Sequence, residues 1–312
     1  MTHVRRARSH DHAEVASRIA ARLGRAHESH PAIDASLDDE RLLDDLATSP
    51  YWVAVRRRRI VGHLAGRVVD EGTPDAYWVG LDGLSYDDTA ALATILGRAA
   101  RVLWRDGVTR WHLTVPDDAD EIGALAPYGF SPTQRLGSLA RVDPPTVTGP
   151  GVRCRRADAD AAELLARASD LVDLARGVRP STSADPPDPT TVTWVAETDR
   201  PAGVAAAFPR LDQRGVAPRT WHLTTVAVEP DVRRRGVGRA LVGTLIDDAR
   251  GLGARGFDVS WDPADVVASA FWGALGFDGT TVVASADLVT PATSRWHRRA
   301  PGPPASPGGR SE

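Results

Sequence analysis

Apolar residues recur along the chain at two spacings, and the switches between them mark out its elements. From His10 to Ala26 the apolar Val15, Ile19 and Leu23 fall four apart, the stripe of an amphipathic helix, with Ser9 placed to cap it. Leu42, Leu43 and Leu46 mark a second helix over 38–47, which ends near Pro50. Runs rich in β-branched and aromatic residues predict strands over 3–8, 51–55, 60–69 and 76–84, with Arg56–Arg59 as a basic turn between two of them. A helix over 90–105, a strand over 110–115 and a short helix over 121–128 follow. Pro127 interrupts that helix, Gly129-Phe130 closes it, and a strand over 135–142 ends the series.

Asp143 to Gly151 then carries three prolines and two glycines in nine residues, the composition of a linker. After it the order restarts, with a strand over 152–156, a helix over 158–176 and strands over 191–197, 203–210 and 221–228. The next helix has Val237, Leu241, Leu245 and Ala249 four apart. The halves therefore share one plan. Trp78 laid on Trp221 needs an offset of 143, whereas Leu96 on Val242, Gly107 on Gly253 and Trp111 on Phe257 need 146, and Gly129-Phe130 on Gly276-Phe277 needs 147. The first half is then about three residues shorter between its fourth strand and the following helix. The tetrapeptide Trp-His-Leu-Thr at 111–114 and 221–224 implies an offset of 110 that misaligns everything else, and is read as coincidence.

That deletion falls beside the most informative stretch of the chain, Thr225 to Arg250. An apolar strand ending at Val228 meets Pro230, which has no N–H to offer a ladder. The chain turns through Arg233-Arg-Arg-Gly-Val-Gly-Arg239 into a helix. Amides at a helix start point outward together, and with four arginines around them they form a site for phosphate or pyrophosphate. The corresponding first-half segment, Asp82-Gly-Leu-Ser-Tyr-Asp-Asp88, has acids where the second half has arginines, and acids repel a diphosphate.

The spacing Arg233-x-x-Gly236-x-Gly238, between a strand and a helix, resembles the acyl-CoA loop of the GNAT superfamily of N-acetyltransferases. It is not the phosphate loop of ATPases, because no Gly-Lys-Ser/Thr follows and all 38 basic residues are arginine. Nor does it fit the glycine fingerprint of dinucleotide folds. The resemblance implies an α/β (α+β) fold of two tandem GNAT-like domains, each a mixed curved sheet flanked by helices. Residues 1–143 would be a degenerate domain, 144–151 the linker, 152–290 the acetyl-CoA-binding domain and 291–312 a disordered basic tail. It also implies that Arg233, Arg234, Arg235, Gly236, Val237, Gly238 and Arg239 hold the CoA pyrophosphate. The strand before the loop would splay from its neighbour so that Val226 and Val228 pair with the pantetheine arm.

Many family members carry a glutamate on the fourth strand that relays a proton from the amine. Counting back six residues from Val228 places His222 there, and an imidazole that titrates near ~6.5 suits a base. Asp265 to Phe277 resembles the family stretch Asn-x-x-Ala-x-x-aliphatic-Tyr followed by Gly-Phe, with Ala268, Phe271, Gly276 and Phe277 matching. Asp265 replaces the asparagine, and Trp272 stands where a tyrosine commonly protonates the leaving sulfur. Indole cannot act as that acid, although it can pack against pantetheine. Residues 183–190, rich in proline, correspond to a region over the acceptor site in the family, a candidate lid or a plain connection.

The implied function is transfer of an acetyl group from acetyl-CoA to a primary amine. Tandem members that act on small metabolites make a small-molecule acceptor the expectation. The departures at Asp265 and Trp272 keep a second reading open, a non-catalytic acyl-CoA sensor. The formal charge of −3, without aromatics among the basic runs, argues against nucleic acid as a partner. No apolar run of membrane-spanning length occurs, the first residues lack the apolar segment of a signal peptide, and a cytoplasmic protein is expected. Cys154, the single cysteine, can form neither an internal disulfide nor a metal site alone, and no metal is expected.

Overall fold

The structure is a computed structural model that describes residues 2–69, 76–139, 151–157, 190–210 and 214–288. The helix expected over 158–176, the loop over 183–189, residues 144–150 of the linker and the tail from 291 lie outside these ranges. The first half runs β1 (Thr2–Arg6), α1 (His12–Ser29), β2 (Ile33–Asp34), α2 (Asp39–Thr48), β3 (Trp52–Arg56), β4 (Arg59–Leu64), β5 (Arg67–Val69), β6 (Ala76–Val79), β7 (Leu84–Tyr86), α3 (Thr89–Arg105), β8 (Arg110–Pro116), α4 (Ala119–Leu125) and β9 (Ser131–Leu139). The second half runs β10 (Arg153–Arg156), β11 (Val192–Glu197), β12 (Pro201–Pro209), β13 (Gly215–Val216), β14 (Thr220–Val228), α5 (Val237–Gly251), β15 (Gly256–Trp261), α6 (Val266–Ala274) and β16 (Asp278–Asp287).

The helices follow their apolar stripes. Val15, Ile19, Leu23 and Ala26 are the buried side of α1, and Val237, Leu241, Leu245 and Ala249 are buried along α5. Two local expectations change. Ser9 does not cap α1 but starts a short 3-10 turn. The buried Asp11 takes the polar role there, accepting from the Arg8 amide at 2.7 Å and from the Arg5 guanidinium at 2.6 Å. A carboxylate forked by an arginine outcompetes a hydroxyl for those donors. The strands expected over 60–69 and 76–84 are each broken, β4 stopping at Leu64 before β5 starts at Arg67 and β6 stopping at Val79 before β7 starts at Leu84, in each case beside a different partner.

The strands form a four-stranded sheet in the order β1-β3-β4-β7, a ten-stranded sheet in the order β10-β11-β12-β14-β15-β9-β16-β8-β6-β5, and a two-stranded pair of β13 with β2. The ten-stranded sheet runs through both halves because the halves exchange their last strands. β9 of the first half lies antiparallel to β15 of the second, Leu139 opposite Phe257 and Arg135 opposite Trp261. β16 of the second half lies antiparallel to β8 of the first, Val283 opposite Thr114 and Ala286 opposite Trp111. The exchanged strands also meet each other, so neither half presents a free edge at the junction.

The cores record the same exchange. Around Trp52, Tyr77, Leu92, Leu96 and Trp111 the first core contains Val282, Ala284, Ala286 and Leu288 from the end of the chain. The second core, around Trp194, Trp221, Leu241 and Phe257, contains Leu139. Gly137 of β9 sits under the Trp261 ring, where an added Cβ would lie 2.5 Å from it. Each half buries apolar surface on residues that the other supplies. No helix among the described residues is long and apolar enough to cross a membrane.

Candidate functional site

The site is built where β14 leaves its neighbour. β14 pairs in parallel with β15 only from Thr220 to Leu223, opposite Gly256 to Val259, while its antiparallel pairing with β12 continues to Val228. The separation coincides with a β-bulge. Ala207 lies opposite Leu223 and Ala206 opposite Thr225, so Thr224 is the extra residue, and its hydroxyl donates to the Ala206 carbonyl at 3.2 Å. A bulge bends and twists the strand that carries it. Beyond it, Thr225 to Val228 have no strand partner toward β15, an opening inside an otherwise continuous sheet. Val226 and Val228 both lie on this stretch, and the Val228 carbonyl already accepts from Arg233 Nε at 2.9 Å.

At the far end of the opening the chain passes through a 3-10 turn, Pro230–Val232, and enters α5. Arg234 is held at φ 64° and Gly236 at φ 86°, a conformation that glycine adopts without Cβ strain. Gly236 is the N-cap and brings no side chain to the helix start. The Ala240 amide is the first to bond back, to the Gly236 carbonyl at 2.9 Å, so the amides of Val237, Gly238 and Arg239 precede the intrahelical ladder. Arg234 and Arg235 are exposed beside them, and among the described residues no acid pairs with Arg234, Arg235 or Arg239. Val237 itself turns into the core, leaving its amide as what it offers the loop. Gly238 is closed in by Phe271 and Val228, each 3.4 Å from where its Cβ would be.

At the near end, in the last paired stretch, His222 stands opposite Asp258 of β15. Its Nδ1 makes a short hydrogen bond to Asp258 Oδ1, and Arg210 Nε meets the other carboxylate oxygen at 3.1 Å. Arg210 Nη2 also lies 3.2 Å from Nδ1. That nitrogen cannot both donate to the carboxylate and accept from the guanidinium. The anionic, arginine-held Asp258 is the better partner, so Nδ1 carries the proton, and in the neutral imidazole the lone pair is on Nε2. Asp258 is 1% exposed, which ties its charge to these two partners. Phe208 of β12 meets the imidazole edge-on at 5.6 Å. Arg210 and Asp258 are the functional candidates that the sequence reading missed. The visible signal was a charged residue inside the apolar run Gly256-Phe-Asp-Val-Ser-Trp261, but pairing it with His222 requires the register of two parallel strands.

The stretch after β15 resolves the two departures at its ends. Asp265 caps α6, its Oδ1 accepting from the Val267 and Ala268 amides, both at 2.9 Å. Its charge is spent on the helix start. Trp272 is buried in an aromatic cluster, 4.9 Å from the Phe271 ring and 5.2 Å from that of Phe277. The four tyrosines of the chain, at 51, 77, 86 and 128, all belong to the first half.

The first half has the same framework with different contents. Tyr77 lies opposite Trp111 as Trp221 lies opposite Phe257, so Tyr77, not Trp78, is the counterpart of Trp221, and the Trp78–His112 stack at 4.9 Å occupies the place of His222 and Asp258. The repeated Trp-His-Leu-Thr falls on β8 in one half and β14 in the other, and is coincidental in the fold as well. Two residues, Asp87 and Asp88, separate β7 from α3, against the eight of 229–236 between β14 and α5. Asp88 caps α3 by accepting from the Ala91 amide at 2.8 Å, and Arg56 pairs with it. The opening between β7 and β8 is closed as well. Arg22, 4% exposed, donates to the Leu81 carbonyl at 2.9 Å and to Glu121 at 3.1 Å, and Tyr86 donates to the same glutamate.

Residues 162–277 match the profile of the Acetyltransferase (GNAT) family. No curated protein matches the chain. Among solved structures, a GCN5-related N-acetyltransferase from Sphaerobacter thermophilus is 16% identical with a TM-score of 0.62, over 93% of this chain and 96% of that one. A tandem GNAT protein from the clavulanic acid biosynthesis pathway is 15% identical with a TM-score of 0.53, over 93% and 99%. A fungal GCN5-related glucosamine N-acetyltransferase region, part of a multi-domain β-N-acetylglucosaminidase, is 15% identical with a TM-score of 0.54, over 91% of this chain and 38% of that one.

Proposed function

We propose that the chain is a tandem GNAT-type N-acyltransferase whose second half binds acetyl-CoA at the start of α5 and transfers the acetyl group to a primary amine of a small molecule, a reading supported by the family match over residues 162–277 and by the fold shared with tandem GNAT proteins. The observation that carries the reading is the opening between β14 and β15, with uncapped amides and arginines at one end and the Asp258-held His222 at the other. Acetyl-CoA, when bound, supplies the acyl group as a thioester. The α5 amides of Val237, Gly238 and Arg239, with Arg233, Arg234, Arg235 and the Arg239 side chain, hold its pyrophosphate, and the edge at Val226 and Val228 lies beside the arm. The preference for a small acceptor leans on tandem and sugar-amine relatives of the fold and on the family resemblance.

His222 acts as the base. Nδ1–H stays with Asp258, which keeps the tautomer fixed, and Nε2 takes the proton that the amine nitrogen loses as its new bond to the acyl carbon forms. The electron pair of the broken C–S bond leaves with the sulfur. No tyrosine of the second half can protonate it, and Trp272 is packed away in the core, so that proton comes from solvent. The same tryptophan supports the pantetheine wall only through the aromatic cluster it anchors.

His222→Gln tests the assignment. We expect turnover to fall roughly 10²–10⁴-fold, the range of a lost general base, with acetyl-CoA affinity by calorimetry changed less than about threefold. An unchanged turnover number overturns the base. Tight acetyl-CoA binding by the unaltered chain, without release of free thiol across a panel of amines, would favour the sensor reading instead.

A further inference from the structure

The chain leading into His222, from Arg214 to Thr220, is held by the other half of the molecule. A connection between two antiparallel strands ordinarily runs free over the surface. Here Gly215 and Val216 form β13, which pairs with β2, the strand between α1 and α2 of the first half, Gly215 opposite Asp34 and Val216 opposite Ile33. Gly215 lies at φ 78°, and a Cβ there would stand 3.2 Å from Leu81, so the backbone itself rests against the first half. Arg214 forks between two first-half carboxylates, with Asp45 of α2 on one nitrogen and Asp82 at 2.7 Å on the other.

From this anchor the chain reaches His222 in a few residues, most of them held by hydrogen bonds or strand pairing. Thr220 Oγ1 donates to the Ala217 carbonyl at 2.7 Å. Arg219 is held at φ 61°, a left-handed conformation that is strained for a residue with a side chain, and its carbonyl accepts from the Arg255 amide at 2.9 Å. The Arg210 amide donates to the Thr220 carbonyl at 2.8 Å, closing the turn. Strained backbone of this kind persists only where its surroundings over-determine it. The residues at its two ends, Arg210 and His222, are the ones that converge on Asp258.

We propose that Arg214 is a positioning residue for the reaction, and that the first half acts on catalysis by clamping this turn. The clamp sets where Arg210 and His222 meet Asp258, without touching either reactant. The inference rests on the base assignment of His222. Misplacement of a catalytic group by about 1 Å can cost on the order of 10²-fold.

The test is a kinetic split on the full chain. Arg214→Ala should lower kcat about tenfold or more with the KM for acetyl-CoA within about twofold, and Arg214→Lys, which keeps one of the two ion pairs, should recover part of the loss. In a His222→Gln background the Arg214→Ala change should add little, because both act through one group. Asp45→Asn, on the partly exposed α2 end of the clamp, gives a milder version should Arg214→Ala fold poorly. Amide hydrogen exchange over 219–223 should speed up in Arg214→Ala. Unchanged kcat in both Arg214→Ala and Asp45→Asn, or losses at Arg214 and His222 that multiply, would overturn the positioning role. An unaffected His222→Gln would sink the base assignment, and accelerated exchange in Arg214→Ala would then still report the clamp itself.

Discussion

At the start of α3 the amides meet the carboxylate of Asp88, and at the start of α5 the cap is Gly236, which brings nothing. The two helices occupy equivalent places in a repeated plan, follow equivalent strands, and are buried along similar faces. In the first half the anion that a helix start attracts is built into the chain. Backbone hydrogen bonding to Ala91, and then the ion pair with Arg56, hold the Asp88 carboxyl below its ordinary range. The opening beyond it is crossed by Arg22, Tyr86 and Glu121. In the second half no side chain caps the same positive helix end, exposed arginines stand beside it, and it is the place proposed for the ligand. A fold that attracts anions at one place can thus be satisfied from within or from outside, and the identity of a single cap residue marks which.

The exchange of last strands is the strongest constraint on that comparison. Fragments 1–143 and 152–312 produced separately should each fail to give a cooperative thermal transition. The first would lose Val282, Ala284, Ala286 and Leu288 from its core, roughly 1–3 kcal/mol for each large side chain against a domain stability of about 5–15 kcal/mol. Native-like near-UV circular dichroism from either fragment alone would show that the exchange is dispensable.

A smaller effect is expected at the open helix start. Replacing Arg234 and Arg235 together by glutamate should weaken acetyl-CoA binding about 100-fold or more in calorimetry at low salt, with the melting temperature unchanged, because both side chains are exposed. Retained affinity would place the pyrophosphate elsewhere.

The first half carries a proton-linked weakness at a buried histidine. His63 is fully buried, accepting from the Ser85 hydroxyl at 2.6 Å and donating to the Asp82 carbonyl at 3.0 Å, and burial pushes its pKa down to about 4. The unfolded chain therefore binds a proton that the folded chain refuses between roughly pH 6.5 and 4. The stability this neutral imidazole contributes is present above about pH 6.5 and lost as pH falls through 4, by about 3 kcal/mol. Thermal melts from pH 7 to 4 should fall less steeply in His63→Asn. Parallel curves would remove His63 as the titrating group.

The smallest expected effect sharpens the comparison most. Asp88→Ala should cost about 1 kcal/mol of stability, the ordinary worth of a helix cap, and should leave acetyl-CoA stoichiometry at one per chain, since Arg22 and Glu121 still close the opening. A second equivalent of bound acetyl-CoA would mean that the cap alone had kept the first half empty.

Much of this was readable along the chain because it is written in local terms. The apolar stripes of α1 and α5, the break at Pro230, and the cluster of arginines and glycines before α5 each depend on residues a few positions apart. So does the duplication of the plan, and with it the replacement of arginines by acids in the first half. His222 was reachable by counting along one strand. Asp258 and Arg210 were not, because the ladder that sets them beside His222 joins strands 36 and 12 positions away.

By itself, then, the order of residues determined the elements, the doubled plan and the anion-seeking turn, since periodicity, capping chemistry and glycine placement act over a single helix or turn. The tertiary structure decided three further things. It sent β9 and β16 into each other's halves, because β8 and β15 each offer an equivalent edge and nothing local distinguishes them. It paired His222 with Asp258 through parallel register, and it gave the first half a hold on the chain leading into His222 through Arg214. Each depends on which surfaces meet once the chain has closed, and that is a property of packing rather than of neighbouring residues.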